Sequence, residues 1–357
     1  MKRISDAEAQ KINDFSLESS VALPAYVLEK DMHVCDAMKI LAAIPTNRYF
    51  RLVFCGGTCL SKAYGILERM SEDVDFKIVP NDAALSLSKT GLRTALKAFR
   101  KSVIFDLKQG GFTGEDTIKE KVRDEGTYAA IIVEYESAFE KPVSLRPHLL
   151  IEMSCMVLAN STQTKEIGLL LDRLMTGEYD KPFEFECVSL EEALAEKLIS
   201  FPRRLGKHMA DQLPKDHPSP KTFDDEFLKE ELHWDKALVR HLFDVKILLT
   251  KHPDLTADMA TFSSLLSTVI KKDAHDFKNS HTDYRTDPVK ELQAAMAFAT
   301  NSQKLNTQYD AFVGDMVYGI NTPSYSDAVA HFDSLLKFLL QSSSLQTHLA
   351  INQFVAN

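Results

Sequence analysis

Apolar positions fall three and four apart along VLEKDMHVCDAMKILAAI (residues 27–44), the period of a helix with one face in a core. Most of the first fifty residues read this way. RLVFCGG (51–57) is then a short buried strand running into a glycine turn, and TCLSKAYGILERM (58–70) predicts a helix with Thr58 as N-cap. DVDFKIV (73–79) alternates polar and apolar, a strand with one wet face. LSLSKTGLRTALKAFRKSVIFDLKQ (85–109) predicts a long amphipathic helix. Two β-rich stretches follow, TYAAIIVEYES (127–137) and PHLLIEMS (147–154), with Pro142 and Pro147 in the turn-prone segment between and before them.

Past about residue 165 the pattern changes. Ser189 and Glu192 have capping-box spacing at the start of the helix LEEALAEKLISFPRRL (190–205). DQLPKDHPSPKTFDDEF (211–227) reads as a long loop. From about 235 onward nearly everything is helical, with loops expected near 273–288 and 319–326, and Trp234 packing the helical lobe. The expected architecture is α+β and bilobed. Residues 1–165 form an α/β lobe on a small mixed sheet, and residues 166–357 form a mainly helical lobe that completes a cleft.

The composition of the 357 residues, 45% hydrophobic and 26% charged, is that of an ordinary globular protein. The N-terminus lacks the apolar core of a signal peptide and no run is long enough to span a membrane, so a cytoplasmic protein is expected. The five cysteines form no CxxC pair and suit buried structural thiols better than zinc. A net charge of −9 argues against nonspecific nucleic-acid binding but leaves room for a local basic patch. The candidates are Lys97, Arg100 and Lys101, and Arg203, Arg204, Lys207 and His208. Either set also suits a solvated helix face.

Candidate chemistry lies in Leu52–Val79. Gly56 and Gly57 end a strand where a helix begins, which lets a ligand approach the backbone and offers free amides to phosphate oxygens. Asp73 and Asp75 stand two apart on a strand, so both carboxylates share a face while Val74 and Phe76 enter the core. Two such carboxylates repel unless a cation lies between them, and Mg²⁺ takes oxygen ligands while keeping phosphates and water in its shell. A third acid on a neighbouring strand would complete a two-metal site. Glu152, between Ile151 and Met153, is the best candidate. Lys62, on the helix after the turn, either assists phosphates or faces water. Tyr64 follows it, and His148 and His241 read as structural or surface residues.

The stretch GGTCLSKAYGILERMSEDVDF (56–76) resembles the AbiEii/AbiGii toxin family of nucleotidyltransferases, which includes the MenT toxins and has the polymerase-beta-like core. Arg69 and Ser71 just ahead of Asp73 match that family's own spacing. SLEEALAEKLISFPRRL (189–205) and RHLFDVKILL (240–249) resemble two further family regions, and residues 309–339 resemble family C-termini. Cys59 and Glu152 depart from the family's usual small residue and aspartate. The resemblance implies an Mg²⁺-dependent transfer of NMP from an NTP to an acceptor hydroxyl, the tRNA 3′ end or another RNA foremost. It also implies a cognate antitoxin from a neighbouring gene.

By the resemblance, Gly56, Gly57, Thr58, Lys62, Arg69, Ser71 and Lys197 hold the nucleotide, Asp73, Asp75 and Glu152 the metal, and Asp73, Asp75, Lys197 and Asp244 act in catalysis. A fixed lysine suits the charge that builds on the leaving pyrophosphate. Arg240 and Asp244 are four apart and would form a helix-face pair; alternatively Asp244 orients Lys197 or the attacking hydroxyl. Two other functions remain open: a small-molecule nucleotidyltransferase with an acidic pocket for a cationic acceptor, and a nucleotide-binding regulator without catalysis.

Overall fold

Among the described residues, seven strands form one mixed sheet in the first half of the chain, in the order β3-β4-β5-β2-β1-β7-β6. They are β1 (Phe50–Cys55), β2 (Asp73–Pro80), β3 (Ile118–Arg123), β4 (Tyr128–Glu134), β5 (His148–Cys155), β6 (Thr162–Ile167) and β7 (Phe183–Val188). β2 lies parallel to β5 and β1 parallel to β7, and the other pairs are antiparallel. The helices of this half are α1 (Asp6–Glu18), α2 (Ala25–Ala42), α3 (Gly56–Lys62), α4 (Asp82–Leu85), α5 (Lys89–Gln109) and α6 (Leu170–Thr176). The computed structural model describes residues 1–18, 23–44, 46–71, 73–114, 117–140, 146–212, 235–277, 281–342 and 345. It divides into two compact units, Met1–Ser189 and Leu190–Asn357.

One face of the sheet makes the core of the first unit. Phe54, Val74, Phe76, Ile78, Ile131, Ile151 and Met153 pack with Met38 and Leu41 of α2 and Phe99 and Val103 of α5. Each large apolar side chain so buried contributes about 1.5–3 kcal/mol. The alternation of β2 therefore puts Asp73 and Asp75 on the other, half-buried face.

The helix expected over 58–70 stops at Lys62. Gly65 adopts the left-handed region at φ 65°, which glycine alone takes readily. Arg173 of α6 donates to the carbonyls of Ser61 (3.2 Å) and Gly65 (3.1 Å), satisfying the end of the short helix. Strands β3, β6 and β7 were not expected. β3 and β6 are polar edge strands without an apolar face to announce them, and β6 and β7 carry the first unit to Ser189, beyond the boundary near 165.

The second unit is helical among its described residues: α7 (Leu190–Gln212), α8 (Arg240–Lys251), α9 (Met259–Asp276), α10 (Thr282–Thr286), α11 (Pro288–Asn301), α12 (Gln303–Met316) and α13 (Tyr325–Gln341). Its core includes Leu198, Phe201, Leu242, Val245, Leu266, Leu292, Phe332 and Leu336. The loop expected at 273–288 instead holds the end of α9 and all of α10. Asp287 caps α11 by accepting from the Lys290 amide at 3.1 Å, with Pro288 at the first helical position. Trp234 and most of the loop expected at 211–227 lie outside the described residues. No helix among the described residues is long and apolar enough to cross a membrane.

Candidate active site

Asp75 of β2 and Glu152 of β5 are register partners, as are Asp73 and Leu150. Paired residues on adjacent strands share a face, so all three acids project from the same half-buried side of the sheet. In an antiparallel step to β1, Asp75 also pairs with Cys55, the residue before the glycine turn.

The turn is built around that carboxylate. Gly56 has φ 76°, and a Cβ there would overlap the Asp75 carboxylate; a Cβ on Gly57 would overlap a terminal nitrogen of Arg69. The two glycines thus admit an acid and a guanidinium to the start of α3. Arg69 is buried and donates to the Met70 carbonyl at 2.9 Å. Thr58, the expected N-cap, is instead in the third position of α3, which Cys55 precedes without a side-chain cap. Its hydroxyl bonds Ser71 Oγ at 2.8 Å and the Asp73 carbonyl, tying α3 to the entrance of β2. Gly56, Gly57, Thr58, Arg69, Ser71, Asp73 and Asp75 therefore form one connected group.

Two residues that sequence reasoning missed belong to this face. Arg146, just before β5, ion-pairs with Asp73, and its own carbonyl accepts from buried Lys30 at 3.0 Å. Tyr128, first in β4, donates its hydroxyl to Glu152. Burial, then the hydrogen bond to Glu152, pushes the Tyr128 phenol up to about 12. Neither has a sequence motif; the register that brings them to the acids is visible only once β4 and β5 are paired.

Among the described residues no three His, Cys, Asp or Glu side chains converge as a ready metal cage. The donor set nonetheless suits a hard divalent cation. It consists of three carboxylates on one face, and one of them is already balanced by the guanidinium of Arg146.

Lys62 lies apart from this group. It is buried, with its ammonium 2.5 Å from Asp31 and 3.3 Å from the Gly168 carbonyl. Burial opposes its charge, but Asp31 and Cys35 outweigh this and hold the ammonium above its usual range. Asp31 also accepts from the Leu170 amide at 2.8 Å, so Lys62 joins α2, α3 and α6 from within. That corrects the expectation of a phosphate-facing lysine. Tyr64 donates to the Val188 carbonyl at 2.6 Å.

Within the second unit, Lys197 of α7 donates to Asp244 of α8 at 2.7 Å, both side chains buried. Asp244 is thus in contact with Lys197, one of the arrangements expected for it, and the Arg240 guanidinium lies 6.0 Å from the Phe312 ring centroid. The basic clusters nominated for RNA are largely neutralised. Arg100 is buried and held by Glu120 (2.6 Å) and the Gly126 carbonyl (2.8 Å), leaving Lys97 and Lys101 exposed. Arg203 pairs with Asp273, Arg204 with Asp235 and Lys207 with Asp211, each at 2.8 Å. Burial, then Arg204, holds the His208 pKa below its usual range.

No curated protein matches the chain. Among solved structures, the chain is similar to MenT4, a nucleotidyltransferase toxin from Mycobacterium tuberculosis H37Rv. The two are 17% identical, the match covers 98% of this chain and 95% of that one, and the TM-score is 0.55, a likeness of fold. The model of the AbiEii nucleotidyl transferase toxins of type IV toxin–antitoxin systems matches residues 39–331. With most of its length matched, the glycine turn and acidic strand included, the chain belongs to the AbiEii family and is a toxin nucleotidyltransferase.

Proposed function

We propose that the protein transfers a nucleoside monophosphate from an NTP to the 3′ end of tRNA in an Mg²⁺-dependent reaction, in the cytoplasm, under the control of a cognate antitoxin. The observation that carries the chemistry is the register of Asp75 with Glu152, beside the glycine turn that admits the Asp75 carboxylate. Asp73, Asp75 and Glu152 would hold Mg²⁺, with two ions if all three take part. Bound there, the metal would neutralise charge on the triphosphate and favour ionisation of the acceptor hydroxyl.

The chain's own residues do the rest. The backbone at Gly56–Gly57 and the Arg69 guanidinium receive the triphosphate, with Thr58 and Ser71 fixing the turn to β2. Arg146 exchanges its carboxylate partner for the incoming charge. Lys197, oriented by Asp244, stabilises the leaving pyrophosphate. Lys62 has no direct part in this scheme and acts as the buried support of α3.

The test is incubation of the purified protein with Mg²⁺, total tRNA and each α-³²P-labelled NTP in turn, beside Asp75→Ala. Label on tRNA that vanishes in the variant supports the proposal and names the NTP. Label on protein or a small molecule instead removes the tRNA acceptor while keeping the transferase chemistry.

A further inference from the structure

We propose that the edge strand β3 is the track on which the phosphodiester backbone of the acceptor rests, held by Lys119, Lys121 and Arg123. This deepens the functional reading above and rests on its nucleic-acid acceptor. In β3, IKEKVR, side chains alternate between faces. Lys119, Lys121 and Arg123 project to one side; Ile118, Glu120 and Val122 project to the other.

The pairing of strands decides which side that is. Lys121 pairs with Ala130 of β4, Ala130 with Glu152 of β5, and Glu152 with Asp75 of β2. One row across four strands therefore joins an edge cation to two of the catalytic acids on a single face. Three strand spacings of about 4.8 Å put Lys121 about 14 Å from Asp75. That is about four nucleotides of stacked strand at about 3.4 Å each. A 3′ end reaching the acids would thus lay the phosphates of its preceding nucleotides on β3.

The side-chain environment fits this use. All three cations are exposed. The Lys121 ammonium makes no hydrogen bond or ion pair among the described residues. Lys119 meets Glu134 at 3.3 Å with both side chains largely in water, a pair worth little. The Arg123 guanidinium lies 4.3 Å from the Tyr128 ring centroid, and Tyr128 donates to Glu152, so contacts run unbroken from the edge to the third acid. A cation row beside an aromatic ring is how single-stranded nucleic acids are held without sequence readout.

Lysines on an edge strand also discourage pairing with other chains. Edge protection explains charge on β3, but not one sign on one face, nor that this is the face of the acids. The strand's acid, Glu120, is on the opposite side, engaged by Arg100 at 2.6 Å. In a chain of net charge −9, three cations with little local compensation select a polyanion.

The experiment compares wild type with the triple variant Lys119→Gln, Lys121→Gln, Arg123→Gln and with Lys121→Glu, whose side chain has nothing to lose in the fold. Fluorescein-labelled total tRNA is titrated at several salt concentrations, and label transfer from the preferred α-³²P-NTP is measured on tRNA and on a dinucleotide acceptor. The triple variant should bind tRNA roughly tenfold more weakly, and the slope of log K against log salt should fall by about 2, at about 0.7 per lost contact. Transfer to the dinucleotide, too short to reach β3, should be unchanged, as should NTP binding. Lys121→Glu should weaken tRNA binding in the same direction. Unaltered tRNA affinity and salt slope in both variants overturn the track while leaving the transferase reading intact. A wild type that labels no tRNA, but labels another acceptor, overturns the tRNA reading and the track with it.

Discussion

The Asp75 carboxylate occupies the space that a side chain on Gly56 would fill. Gly56 also has φ 76°, a region costly for other residues. Gly56→Ala should therefore push Asp75 off the shared acidic face. Nucleotide transfer should fall by about 100-fold, the scale of an ångström-sized misplacement, with a stability loss of about 1–3 kcal/mol. Gly57→Ala meets the end of the flexible Arg69 side chain instead and should cost less activity. Transfer assays paired with urea titrations check both; equal effects of the two substitutions would count against a special role for the Gly56–Asp75 approach.

Lys197 and Asp244 neutralise each other inside the helical unit. Asp244→Ala leaves a buried ammonium alone and should destabilise the protein by about 3–5 kcal/mol. The double variant Lys197→Met, Asp244→Leu removes both charges and should recover most of that loss. Activity separates the roles: a pair that serves only the fold would let the double variant transfer nucleotides, whereas a lysine acting on the pyrophosphate predicts a stable, inactive protein. We expect the latter, read from chemical melts beside label transfer.

Alkaline pH should loosen the first unit. Burial pushes the Cys35 thiol from 9.0 up to about 12, although Lys62 beside it favours the thiolate. Burial and the bond to Glu152 push Tyr128 from 10.0 to about 12. Both groups hold their protons more tightly folded than unfolded. Their stabilisation is complete below the unfolded values and is lost as pH rises towards the folded ones. Stability should fall between about pH 9 and 12. Cys35→Ala should remove the part beginning near 9, and Tyr128→Phe the part beginning near 10. A wild-type urea midpoint constant across that window would contradict the assignment.

The acids were legible because β2 alternates so strictly: Asp73 and Asp75 had to share a face once Val74 and Phe76 entered the core. Glu152 was legible for the same reason, flanked by Ile151 and Met153. The chain's division into a sheet-bearing and a helical half was also visible. Lys62 was not, because nothing in GGTCLSK says that a lysine will turn inward to Asp31, thirty-one residues earlier. Tyr128 and Arg146 meet the acids, and the cations of β3 share their face, only through strand register, which depends on pairing between distant segments. β3 itself escaped notice because an edge strand needs no apolar face. The ion pairs of Arg100, Arg203 and Arg204 were hidden for a complementary reason: their partners Glu120, Asp273 and Asp235 come from other elements, whereas Lys207 pairs with Asp211 on its own helix.

Arg146 leads to a prediction about metal binding. Its guanidinium balances Asp73, so a cation entering there must displace it or share the acid with it. Arg146→Gln leaves Asp73 and Asp75 two apart on one face without that counter-charge. The metal-free variant should be less stable than wild type, because like charges then face each other uncompensated. Mg²⁺ should restore the loss, since a ligand that binds only the folded state stabilises it in proportion to its affinity. Melting curves with EDTA and with increasing Mg²⁺, supported by Mn²⁺ titration followed by electron paramagnetic resonance, test both points. The metal-induced rise in melting temperature should be larger in the variant and its Mn²⁺ affinity higher. If Mn²⁺ binds more weakly once Arg146 is replaced, the guanidinium supports the metal site and is not its competitor.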